Sequence, residues 1–352
     1  MRLLICTQTV DRRDPFASFF TEWIGEMAFR FSAVHVVCLK QGEYTPPENV
    51  TVRTLGKESM ERATTFQRFR YTARVWRAAW RLRNEYDAVF IHQNQEYILI
   101  AGFLWWILGK PVYLWRNHYA GTILTDIAAW FCVKVFCTSR YSYTAKYKKT
   151  VLMPLGVNTD LFAPQKDVAR TPHSILLFGR VAPSKRLDVV LDALRILHSH
   201  GISFTASIYG ESLPSDAAYR KELQELVRKS YVANDVHFHA GVPHEEAPRI
   251  FREHEIYVNV SRSGMLDKTI FEAMATECVV LATSDDYKAL VLDERVVLEN
   301  ADPEHLAEML RELLTMPPDA RVNLGRGLRG IVVAKHNLKR LGERLVEEIH
   351  IP

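Results

Sequence analysis

Cysteine is scarce. The five cysteines, at positions 6, 38, 132, 137 and 278, are too few and too scattered for a disulfide framework. Cys132 and Cys137 have no second Cys or His pair at zinc spacing, so no metal site is expected. Long apolar runs are also missing. The longest, Ile98–Leu108, has eleven residues, whereas a membrane span needs about 20. The opening Met1-Arg2-Leu3-Leu4-Ile5-Cys6 reads as a β-strand and lacks the apolar stretch and small-residue cleavage site of a secretory leader. A cytoplasmic location is therefore expected. No Asp-x-Asp motif occurs, which fits chemistry without a metal ion.

What is present suits a globular protein. Hydrophobic residues make up 48% of the 352, ample for buried cores, and the length fits two domains of about 150 to 180 residues each. The net charge of +4 hides an asymmetry. Residues 1–165 hold 21 Lys and Arg against 13 Asp and Glu, and the remainder holds 24 against 28. A basic half points to an anionic partner, either a substrate or a surface.

Apolar strands alternate with longer helical stretches through both halves. In the first, strands are expected at 2–7, 34–39, 51–54, 87–92, 111–115, 134–138 and 150–153, with helices at 16–30, 61–85 and 95–109. After a proline-bearing stretch, Asn158–Pro172, that reads as a linker, strands follow at 174–179, 203–209, 235–239, 256–260 and 295–298. Helices at 184–200, 215–230 and 244–253 lie between them. This alternation predicts an α/β protein of two doubly wound, Rossmann-like domains. Residues 1–165 and 166–335 form the two, and a terminal helix in 336–352 packs back on the first. Ligands of such sheets bind beyond the carboxyl ends of the strands, so a cleft between the domains is the expected site.

Two stretches of the second half carry chemistry. In Ile175-Leu-Leu-Phe-Gly179-Arg180-Val-Ala-Pro-Ser-Lys185, a strand ends at Gly179 and two cations follow, Lys185 opening the next helix. A planar guanidinium and a compact ammonium together suit a diphosphate, although surface cations on a solvated loop would read the same. In Ser261-Arg-Ser-Gly264-Met-Leu266-Asp267-Lys268-Thr269-Ile-Phe-Glu272-Ala-Met-Ala, a glycine turn leads into a helix. Free N–H groups and the macrodipole at such a helix mouth attract anions.

In combination these stretches resemble the donor domain of glycosyltransferase family 4, retaining enzymes of the GT-B fold. Pro154-Leu-Gly156-Val-Asn-Thr-Asp-Leu-Phe162 is similar to that family's interdomain segment, and Ala240-Gly241-Val242-Pro-His-Glu-Glu to its nucleobase-facing loop. The resemblance covers most of residues 110–315. It implies that Arg180 and Lys185 grip the diphosphate of a nucleotide-sugar donor and that Glu272 holds the ribose hydroxyls. It further implies that the backbone of Leu266, Asp267, Lys268 and Thr269 holds the distal phosphate, with Gly179, Gly210 and Val242 completing the donor site. The chain departs from the pattern at Gly264, eight residues before Glu272, where the family usually has a sugar-contacting Glu. Asp267 can be a helix N-cap or a displaced substitute for that Glu, with Lys268 offsetting its charge.

In the first half, His118 follows the strand Val112-Tyr-Leu-Trp and resembles the family's histidine near the donor sugar. His92, also at a strand end, is its competitor. Asp14 and Pro15 read as the capped entry of the next helix. Helix 61–85 interleaves seven arginines with Phe66, Phe69, Tyr71, Trp76 and Trp80. It fits either an anionic membrane face or a sheet-packed helix with solvated charges, and Trp105 and Trp106 carry the same ambiguity. No nucleic-acid motif accompanies the charge.

The expected function is transfer of a sugar from a nucleotide-diphosphate sugar to a glycan or lipid-linked acceptor, without cofactor or metal, at or near the inner membrane face. A nucleotide-sugar epimerase or hydrolase and a catalytically silent nucleotide-sugar-binding protein are the rivals. No residue decides between a uridine and a guanosine donor.

Overall fold

The computed structural model describes residues 1–14, 17–57, 65–261 and 267–350. It divides into two compact units, residues 1–156 with 338–352 and residues 157–337.

The first unit is built on seven parallel strands. They are β1 (Arg2–Val10), β2 (Ala33–Gln41), β3 (Val50–Thr54), β4 (Ala88–His92), β5 (Val112–Trp115), β6 (Lys134–Cys137) and β7 (Thr150–Leu152), in the order β3-β2-β1-β4-β5-β6-β7. Strands such as β4 are buried along their length, as expected of a parallel sheet covered on both faces. Helix α1 (Phe19–Arg30) covers one face through Phe20, Trp23, Ile24 and Met27. Helices α2 (Thr65–Arg81), α3 (Glu96–Ile107) and α4 (Ile123–Trp130) cover the other, with Val75, Ala79, Ile98, Ala101, Trp105 and Ala128 turned inward. The segment 123–130 was not expected to be helical; a capping box formed by Thr122 and Thr125 starts it. Trp105 is thus a core residue and Trp106 an exposed one. Asp14 accepts a hydrogen bond from the Ala17 N–H, but the helix proper begins only at Phe19. Pro15, and residues 61–64 of the expected long helix, lie outside the described residues.

The second unit has five parallel strands, β8 (Ser174–Phe178), β9 (Thr205–Tyr209), β10 (Val236–His239), β11 (Ile256–Asn259) and β12 (Val279–Ala282), ordered β10-β9-β8-β11-β12. Its helices are α5 (Leu187–Ser199), α6 (Ala217–Arg228), α7 (Ala247–Glu253), α8 (Lys268–Ala275), α9 (Asp285–Lys288), α10 (Pro303–Thr315) and α11 (Pro318–Lys335). The expected strand at 295–298 is instead a 3-10 turn, Glu294–Val296, beside a single bridge from Val297 to Ala282. The expected linker is also corrected, because its start belongs to this unit. Phe162 is fully buried against Phe251, and Arg252 donates to the carbonyls of Leu161 and Ala163. Val157 bridges Asn337, so the chain enters and leaves the unit side by side. The last helix, α12 (Leu338–Glu348), lies in the first unit, where Leu341 and Leu345 join the α1 core.

Candidate functional site

In the second sheet, β8 and β11 are neighbours although three strands apart in sequence, and the chain order reverses between them. Their carboxyl ends are therefore the topological switch point, where open α/β sheets bind ligands. A pocket lies there, lined by Gly179, Arg180, Lys185, Tyr209, Asn259 and Ser261 among others.

Glycine is required at its floor. Gly179 has φ +130°, and a Cβ on Gly210 would overlap the Gly179 carbonyl. The two strand ends can approach because Gly210 lacks a side chain, whereas at Gly179 it is the positive φ that calls for glycine. Arg220 donates to the Gly210 carbonyl (2.5 Å) and to that of His239 (3.3 Å), tying the ends of β9 and β10 together. Glu211 accepts from the Gly241 N–H at 2.9 Å, which fixes the loop carrying Val242 to the β9 end.

Arg180 follows directly and makes no hydrogen bond or ion pair among the described residues. Lys185 does not open a helix as expected. It ends a 3-10 turn, Pro183–Lys185, and Arg186 then takes a left-handed conformation, φ 51°, before α5 begins. This break turns the lysine toward the mouth of α8, where its ammonium pairs with Asp267.

Asp267 stands at the N-cap position of α8, yet its side chain makes no cap hydrogen bond. Its carboxylate accepts from Lys185, from Asn259 Nδ2 (2.9 Å) and from Thr269 Oγ1 (2.9 Å). Thr269 in turn shares a 2.6 Å hydrogen bond with the Tyr257 hydroxyl, which accepts from Asn259 at 2.9 Å. Burial alone would raise the Asp267 pKa, but the Lys185 charge and these three donors outweigh it and hold it below the usual range. The Lys268 ammonium lies 3.7 Å from Glu272 Oε1. Glu272 is buried one turn further on and its Oε1 lies 2.9 Å from His244 Nε2. Leu266 and Gly264 lie outside the described residues.

The structure thus gathers Gly179, Arg180, Lys185, Gly210, Asp267 and Thr269 at one sheet edge, with Lys268 and Glu272 on the adjoining helix and Val242 in the loop tied to β9. His118 belongs to the first unit. It is half-buried in the loop after β5, its Nδ1 within 2.9 Å of the Ala120 nitrogen and its ring stacked on Tyr119. Its competitor His92 is packed in the core, stacked 3.8 Å from the Phe20 ring with Nδ1 3.1 Å from Thr7 Oγ1. Burial pushes its pKa down to about 3, which favours the neutral imidazole. Sequence reasoning missed Tyr257, Asn259, Glu211, Arg220 and the pairing of His244. Tyr257 and Asn259 left a signal: both are polar, two apart, in a strand that should read as continuously apolar.

Residues 172–316 match the family described as glycosyl transferases group 1. The chain is 25% identical over 153 residues to mannosylfructose-phosphate synthase of Agrobacterium fabrum, covering 40% of this chain and 34% of that protein. The matched stretches span about a third of the length of the curated relatives they find. Among solved structures, Anabaena Alr3699/HepE in complex with UDP-glucose superposes with a TM-score of 0.78 at 16% identity, covering 99% of this chain and 98% of that one. Sucrose-phosphate synthase from Thermosynechococcus elongatus gives 0.76 at 17% identity, covering 98% and 97%. The fold is GT-B.

Proposed function

We propose that this chain, whose residues 172–316 match the glycosyl transferases group 1 family, is a retaining glycosyltransferase that moves a sugar from a nucleotide-diphosphate sugar to a glycan or lipid-linked acceptor. The observation that carries the reading is the placing of Arg180, Lys185 and the α8 mouth at the β8–β11 switch point. In the reaction, the bond from the anomeric carbon to the diphosphate breaks and an oxocarbenium-like sugar forms. The acceptor hydroxyl then bonds to that carbon from the same face, passing its proton to a leaving-group phosphate oxygen. Stabilising the departing charge is the main catalytic task. Arg180, Lys185 and the first N–H groups of α8 supply positive charge for it, which supports a reaction without a metal. His118, after β5, is the first unit's catalytic candidate in this reading.

Isotope-labelled nucleotide sugars, with uridine and guanosine donors in parallel, test the proposal with and without glycan and lipid-linked acceptors. Acceptor-dependent transfer with retained anomeric configuration supports it. Acceptor-free conversion, or donor binding without turnover, overturns it.

Glu272 gives a narrower test. If its carboxylate accepts the ribose hydroxyls, Glu272→Gln should weaken nucleoside diphosphate binding by about tenfold to a hundredfold, since a hydrogen bond to a charged group contributes about 1.5–3 kcal/mol. Calorimetry showing unchanged affinity would leave Glu272 only as the structural partner of His244.

A further inference from the structure

Beyond Glu96 at its first position, helix α3 is apolar all round. Its inner face, Tyr97, Ile98, Ala101, Leu104 and Trp105, is buried on the sheet. Its outer stripe, Leu99, Ile100, Phe103, Trp106 and Ile107, follows the same helical spacing, and Phe103, Trp106 and Ile107 are 56%, 67% and 59% exposed. A helix on a solvated surface normally turns charges outward, so this one lacks a cover. Helix α4 repeats the pattern. Its most exposed residues Ile123, Leu124, Ile127 and Trp130 are all large and apolar, Trp130 being 71% exposed, while the partly exposed Asp126 is paired with Lys146. The two helices are neighbours, for Gly102 of α3 leaves room for Phe131 at the end of α4.

The third helix of this face supplies the charge. On α2, Trp76 donates to the Ile100 carbonyl of α3 at 2.7 Å, which seats α2 beside the apolar stripe. Its exposed side carries Arg70, Arg77 and Arg81 with Trp76 and Trp80, and the helix contains no acidic residue. At the other flank Lys149 donates to the Cys132 carbonyl at 2.6 Å, close to Trp130. Aromatic and aliphatic side chains bordered by arginine match the headgroup–acyl boundary of an anionic bilayer, where tryptophan is favoured. No helix among the described residues is long and apolar enough to cross a membrane.

We propose that the α2–α3–α4 face docks on the surface of an anionic lipid bilayer, with Phe103, Trp106 and Trp130 entering the interface and Arg70, Arg77 and Arg81 on the headgroups. The inference stands on this surface and not on the reaction proposed above. The test is co-sedimentation of the full chain with phosphatidylserine–phosphatidylcholine vesicles and with pure phosphatidylcholine vesicles, at low and high salt, without donor or acceptor. The wild type should bind the acidic vesicles preferentially and lose affinity with salt, because exposed charges are screened within about 10 Å at 0.1 M. Arg70→Glu/Arg77→Glu/Arg81→Glu should lower the partition coefficient at least about a hundredfold, from the loss of three lipid-facing cations. Trp106→Ser/Trp130→Ser should reduce the blue shift of tryptophan emission on binding, Trp76 and Trp80 giving the remainder, while circular dichroism reports an intact fold. Absence of binding to acidic vesicles at low salt would overturn the proposal. So would a lipid-free dimer that the tryptophan variant dissociates, since a second copy would then be the cover.

Discussion

Arg180→Ala should lower turnover by at least about a hundredfold, the scale of removing one preorganised transition-state donor, while leaving the fold intact. Among the described residues its guanidinium makes no hydrogen bond or ion pair, so its loss should be felt chiefly by a ligand. Lys185→Ala should be at least as damaging to turnover, for a different reason. Its ammonium is the partner of a carboxylate only 15% exposed, and removing it leaves Asp267 charged beside the place the diphosphate would occupy. The Lys185 variant should therefore lose nucleoside diphosphate affinity as well as rate, whereas Arg180→Ala should lose chiefly rate. Initial rates with labelled donor and calorimetry with nucleoside diphosphate separate the two effects. Wild-type turnover in both variants, with normal circular dichroism, would remove the diphosphate from this edge.

The two doubly wound sheets were legible because parallel strands buried on both faces leave short apolar runs between long amphipathic segments. The short helix Ile123–Trp130 was not, because its outward residues Ile123, Leu124, Ile127 and Trp130 are apolar and Thr125 and Asp126, adjacent in sequence, set no helical polar period. Residues 158–172 read as a linker because they have two prolines and no periodicity. What places them is tertiary: Phe162 fills a hole beside Phe251, and arginines from distant helices satisfy the local carbonyls. The motif residues of the second unit were found by type and spacing, yet their partners were not. Nothing local in Gly-Arg-x4-Lys says that Lys185 meets Asp267, 82 positions away, because an αL residue at Arg186 and a switch-point crossing together create that meeting. Glycine at 210 was likewise legible as a residue, while the carbonyl it accommodates was not.

Asp267 should prove the most costly position of the site for stability. Breaking a buried ion pair by removing one partner typically costs about 3–5 kcal/mol, and the low end applies here because both side chains keep some exposure, 20% for Lys185 and 15% for Asp267. Asp267→Ala should show that loss in denaturant unfolding at neutral pH. Asp267→Ala with Lys185→Met should recover part of it, because no uncompensated charge then remains. The pH dependence follows from the lowered pKa of the folded state. A carboxylate with a pKa below its unfolded value of about 3.9 contributes stability that is full above that value and is lost as pH falls through the folded pKa. The wild type should therefore shed this contribution on acidification below about pH 4, and Asp267→Asn should lack that component of the acid transition. The same Asn variant removes a negative charge from beside the α8 mouth and releases Lys185. Nucleoside diphosphate should then bind more tightly than to the wild type, even as the fold becomes less stable. Equal stability of wild type and Asp267→Ala at neutral pH, or weaker nucleotide binding in Asp267→Asn, would show that Lys185 is not shared between this carboxylate and a phosphate.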